Sequence, residues 1–122
     1  MKTLIIVNRI LLRLLVTALV ALGALIWLGS ADLVQAHIGL GFLFTPLVLV
    51  QAVLGAIMKA GNGLVALAVV WALLLPVIGL GQRAFMLGDA HWAVRTFHLL
   101  FGLAAMPIVE RIAARALNSA KA

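Results

Sequence analysis

Residues 33–58 read LVQAHIGLGFLFTPLVLVQAVLGAIM, 26 residues without one Asp, Glu, Lys or Arg. At about 1.5 Å per residue, this run is long enough to cross a hydrocarbon core roughly 30 Å thick as a single helix. A surface helix of a soluble domain would alternate apolar and charged faces, and this one cannot. Its only ionisable side chain is His37, early in the run.

Three more long apolar runs flank it, at roughly Ile10–Leu28, Leu64–Leu80 and Trp92–Val109, the first and last with one arginine each, Arg13 and Arg95. The last is expected to continue as an amphipathic helix toward Leu117. Short polar breaks separate them: Gly29–Asp32, Lys59–Gly63, and the longer stretch from Gly81 to Asp89. Short connections make consecutive helices antiparallel neighbours. Asp32 and Asp89 stand where helix N-caps would fall. The expected fold is therefore an all-α membrane protein, one antiparallel four-transmembrane-helix bundle over residues 1–122. Composition agrees: 66% of the 122 residues are hydrophobic and mean hydropathy is +1.29. Too few polar residues remain to cover a water-facing surface. Lys2, Arg9 and Arg13 before the first run invite comparison with a signal peptide. The run exceeds a usual signal core, so it is read as a true span.

Charge sets the orientation. With the N-terminus inside, the cytoplasmic segments hold Lys2, Arg9, Arg13, Lys59, Arg111, Arg115 and Lys121, and the outer side holds Arg83 and Arg95. That bias predicts both termini in the cytoplasm, and Trp27 and Trp92 then fall at the outer interface. The formal charge of +6 is spread over helix ends with no basic face interleaved with aromatics, which argues against nucleic-acid binding. The lipid bilayer is the expected partner, and a bacterial inner membrane the expected location. The absence of cysteine excludes disulfides, thiolate metal sites, iron–sulfur clusters and haem attached through a Cys pair.

Histidines carry the chemistry. His37, His91 and His98 all lie in the outer half under this topology. In the fourth run, His91, Arg95, His98 and Gly102 share one helical face, and in the second run His37 and Gly41 form an i, i+4 pair. Two imidazoles on facing helices can hold one haem iron from opposite sides. A glycine one turn from each ligand leaves room for the flat macrocycle. Arg95 on the ligand face, or Arg83 in the outer loop, would meet the anionic propionates. His37 can pair with His98, or with the interfacial His91 as the alternative ligand. Structural or proton-handling histidines are the competing reading. Zinc would want further ligands, and no intramembrane carboxylate offers itself.

Other polar residues read as packing. Arg13 can snorkel to the cytoplasmic edge. Gln51 can bond another helix or contact a quinone. Trp71 and the methionines Met58, Met86 and Met106 read as bundle filler rather than ligands. Pro46, Pro76 and Pro107 each remove one backbone donor. The stretch Glu110–Leu117 reads as a basic amphipathic extension lying against anionic headgroups.

Ala36-His37-Ile38-Gly39, Gln51-Ala52-Val53-Leu54-Gly55, Gly79-Leu80-Gly81 and Phe97-His98-Leu99-Leu100-Phe101-Gly102 together resemble small bacterial four-helix b-type cytochromes. More distantly they resemble one half of haem A synthase. The resemblance implies one haem b, ligated by a histidine early in helix two and another early in helix four. Those places fall on His37 and His98. It also implies electron transfer with a quinol or another redox partner, as a subunit of a larger oxidoreductase. The chain has a single four-helix unit and lacks the acidic residue and Cys pair near the synthase's first ligand, so synthase activity is not expected. No nucleophile, carboxylate pair or phosphate-cradling loop points to an enzyme activity of its own. Two non-redox alternatives remain. One is an accessory or structural membrane subunit, and the other is a small transporter acting as a homo-oligomer.

Overall fold

The computed structural model describes residues 1–82, 84, 85 and 88–119. Arg83, Met86 and Lys121 lie outside the described residues. Four helices make up almost all of the chain: α1 (Lys2–Trp27), α2 (Val34–Ile57), α3 (Asn62–Gly81) and α4 (His91–Ser119). All four are long and apolar enough to cross a membrane. The protein is an all-α four-helix bundle, and its apolar exterior suits a lipid bilayer.

Each helix packs on its chain neighbour, and α4 closes the ring against α1. Across the centre α2 touches α4, whereas α1 and α3 do not meet among the described residues. The two histidine-bearing helices are thus the ones that approach along the diagonal. Both termini and the α2–α3 turn lie at one end, here called the terminal end. The α1–α2 and α3–α4 connections lie at the other, the distal end.

The core is confined to the terminal half. Ile5, Leu12, Ala52, Ala68, Ala72, Val109, Ile112, Ala113 and Ala116 are wholly excluded from the surface. Between residues 13 and 43, and again between 73 and 104, no described residue is buried. Most of the packed residues are alanines or β-branched, and such short side chains let helix backbones come close. Gly55 is the tightest contact. A Cβ there would run into Ile112 Cγ2 on α4.

Several boundaries differ from the sequence reading. α1 begins at Lys2 rather than near Ile10, and α4 continues unbroken to Ser119. The segment after Val109 is part of the bundle rather than a separate surface piece. Ile112, Ala113 and Ala116 face inward and pack in one cluster with Ile5, Ala52 and Ala60. The early turns of α1 give this last stretch an apolar partner, so both helices extend together. Asp32 is not an N-cap. It sits inside a 3-10 turn, Ala31–Leu33, that leads into α2 without a side-chain cap bond. α4 opens at His91, two residues after Asp89.

Polar side chains inside the terminal half are paired. Asn8 Nδ2 donates to Gln51 Oε1 at 2.8 Å and to the Leu47 carbonyl at 3.0 Å, tying α1 to α2. Gln51 is completely buried, and its Nε2 has no hydrogen-bond partner among the described residues. Glu110 accepts from both Arg9 and Arg13. Trp71 donates from Nε1 to the Phe101 carbonyl at 3.0 Å and stacks on the Phe101 ring at 4.2 Å, which joins α3 to α4.

Candidate functional site: a histidine-lined cavity

The distal half encloses a cavity of about 530 Å3 bordered by all four helices. Ligand sites in proteins typically fall between roughly 300 and 1,000 Å3. Phe44 and Thr45 of α2 lie at its floor, against the packed half. Trp27, Val34, Gln82 and His91 lie at its distal rim. Most of the wall is apolar, from residues such as Val16, Leu19, Leu75 and Leu99.

His37 and His98 face each other across this space. Their ring centroids are 6.1 Å apart and their planes are inclined by 61°. That spacing leaves the rings out of direct hydrogen-bonding contact. Each ring rests on a glycine of the preceding helix. A methyl placed on Gly23 of α1 would come 3.5 Å from His37 Cε1 and 3.9 Å from Nδ1. One placed on Gly79 of α3 would come 3.2 Å from His98 Cε1 and 3.9 Å from Nδ1. The Nδ1–Cε1 edge of both imidazoles is therefore turned toward a helix backbone, and Nε2 is the nitrogen farther from it. His37 Nδ1 is buried beside the Leu19 carbonyl but outside hydrogen-bond geometry.

The remaining residues singled out in the sequence divide clearly. Gly41 and Gly102 line the cavity, and a Cβ at either would meet no protein atom within 4 Å. They keep the space beside each histidine open. Arg95 also lines the cavity, one turn above His98, and no Asp or Glu does so among the described residues. The site thus combines an apolar body with fixed positive charge toward the rim. His91 sits at the rim as well, its Nδ1 3.4 Å from the Phe85 carbonyl. Arg83 lies outside the described residues. Among the described residues no group of three or more His, Asp or Glu side chains gathers for metal binding. Two opposed imidazoles are what the cavity provides.

Gly23 and Asn8 were missed in the sequence. Gly79 was noted there only as part of a motif, not as the seat of His98. No protein-family model, curated protein or solved structure matches this chain, so the functional reading rests on the geometry of the cavity.

Proposed function

We propose that this chain is a small membrane b-type cytochrome that holds one haem between His37 and His98. One observation carries the reading, the 6.1 Å separation of the two ring centroids. A metal–imidazole bond is about 2 Å, and the ring centre lies roughly 1 Å beyond the nitrogen. Two imidazoles bound on opposite sides of one metal therefore have centroids about 6 Å apart.

The other residues fit the same group. Gly41 and Gly102 leave open space beside the two rings, where a flat macrocycle needs it. Arg95 is placed to pair with a carboxylate at the rim, and a guanidinium binds carboxylates in a two-pronged geometry. The Gly23 backbone behind His37 and the Gly79 backbone behind His98 seat the two rings with Nε2 turned away from them. Apolar walls surround both imidazoles.

Bound haem supplies reversible one-electron transfer, and two histidine ligands leave its iron without a free position for oxygen chemistry. The positive-inside bias supports a cavity toward the outer face, and a bacterial inner membrane is the location that goes with this reading. Exchange with a quinol or another redox partner, within a larger oxidoreductase, is the corresponding role.

The test is a dithionite-reduced minus oxidised spectrum of protein purified in mild detergent from haem-sufficient cells. A sharp α-band is expected, lost in His37→Ala and in His98→Ala and kept in His91→Ala. A flat spectrum from folded, haem-supplied protein would overturn the proposal and favour a non-redox accessory subunit.

A further inference from the structure

A second polar cluster lies at the terminal end, on the flank where α1 meets α4. Arg9 donates from Nε to Glu110 Oε2 at 2.6 Å, and its Nη2 pairs with the same oxygen. Arg13 donates from Nε to Glu110 Oε1 at 2.7 Å. Both carboxylate oxygens are therefore engaged, and two positive charges share one negative. The Arg13 side chain is 53% exposed, and its two Nη groups make no hydrogen bond among the described residues.

An exposed arginine in water needs no explanation, but this one is set into an apolar exterior. Ile6, Ile10 and Leu14 are exposed on α1, and Leu103 is exposed on α4. Depth can be read from α4. Arg115 Nη1 donates to the Ala60 carbonyl at 3.5 Å, which marks the level of the α2–α3 turn. Glu110 lies five residues deeper, or about 7–8 Å along the helix. A net positive charge at that depth sits nearer the lipid phosphate than bulk water.

We propose that the Arg9–Arg13 pair, held in place by Glu110, binds the phosphate of an anionic phospholipid. The free Nη groups of Arg13 are the donors, and the acyl chains run along Ile10 and Leu14. A guanidinium fork matches phosphate geometry. The Glu110 anchor fixes both arginine heads beforehand, so less side-chain freedom is lost on binding. A zwitterionic lipid carries the same phosphate, but its own ammonium offsets the attraction. The proposal does not depend on the haem reading.

The experiment uses the full chain in an uncharged detergent doped with phosphatidylglycerol, phosphatidylcholine or inorganic phosphate. Lipid retention is read by native mass spectrometry, and thermal stability by Trp fluorescence. The expected result is one retained phosphatidylglycerol and a raised unfolding midpoint, with neither phosphatidylcholine nor inorganic phosphate having this effect. Arg13→Gln should weaken retention about fivefold, the effect of one basic residue near anionic lipid, while Lys59→Gln leaves it unchanged. Equal weakening by Lys59→Gln would mean a diffuse field and overturn the site. So would equal binding of phosphatidylcholine or of free phosphate. If Arg13→Gln does not fold, Glu110→Gln decides. Losing the anchor that holds both arginine heads should weaken lipid retention, and unchanged or stronger retention would sink the proposal.

Discussion

Gly55, in the last turn of α2, and Gly102, in the middle of α4, are both helix glycines, yet their surroundings are opposite. A Cβ on Gly55 would collide with Ile112, whereas one on Gly102 would touch nothing within 4 Å. The contrast extends to the halves they belong to. The terminal half packs alanines and β-branched side chains to complete burial. The distal half, built from equally apolar sequence, surrounds a 530 Å3 cavity. Apolar groups with no neighbour on one side forfeit their dispersion contacts. A bundle free to collapse would close such a space. Stability is thus concentrated at one end, and the other is shaped around two imidazoles. In the terminal half glycine permits contact, and in the distal half it preserves room.

The largest effect should come from closing that room. Gly41→Leu combined with Gly102→Leu puts two side chains into open space. Haem retained per protein is expected to fall by on the order of a hundredfold, with the unfolding midpoint unchanged or raised, since cavity filling commonly stabilises. Pyridine haemochrome quantitation and thermal unfolding report the two quantities. Full haem content in the double variant would show that these glycines do not border the cofactor, and the functional contrast between the halves would fail.

The packed half should respond in the opposite way. Gly55→Ala forces its methyl against Ile112 and should cost about 1–3 kcal/mol, as overpacking usually does. Haem per folded molecule should stay near the wild-type level. Ile112→Val removes part of the obstructing side chain and should recover some of the loss. If Gly55→Ala costs nothing, the terminal half is looser than its burial implies.

Much of this contrast was not legible in the sequence. Four long apolar runs and short breaks define the bundle because lipid admits so few spanning structures. His37, His98, Gly41 and Gly102 were visible as helical faces. His98 was already favoured over the interfacial His91, but the register that sets it opposite His37 was not visible. It depends on how far α4 is shifted along α2, and apolar helix pairs carry no such register mark. Asn8 looked like part of a basic leader, because nothing local says that α1 starts at Lys2. The same oversight hid the packing of Ile112 and Ala116 against Ile5. Gly23 could have been found. It lies seven residues before Ser30, and His37 lies seven after. A tight antiparallel hairpin sets such residues at one level.

Asn8 supplies a smaller, internal comparison within the packed half. Asn8→Leu leaves the buried Gln51 amide without its partner and should cost about 1–3 kcal/mol. Asn8→Leu with Gln51→Leu removes both polar groups and should cost less than the single change, because no unpaired group stays behind. Denaturant titration in detergent distinguishes the cases. A double variant worse than Asn8→Leu would mean that the pair contributes more than mutual satisfaction.

The smallest and most discriminating effect concerns the two glycines behind the histidines. Gly79→Ala brings a methyl to 3.2 Å from His98, closer than most carbon contacts, whereas Gly23→Ala brings one to 3.5 Å from His37, an ordinary distance. Neither ring is removed, so both variants should keep haem and the same α-band. The Gly79 methyl must push His98 by a few tenths of an ångström or turn its plane. The electron-spin resonance of a low-spin bis-imidazole haem depends on the angle between the two rings, which stands at 61° here. A shifted g-anisotropy in Gly79→Ala, with little change in Gly23→Ala, is the expected outcome. A general loss of packing would lower stability in both variants and leave the resonance of the remaining folded protein unmoved. Equal shifts from the two substitutions would mean that the imidazoles are seated alike, removing this asymmetry between the two histidines.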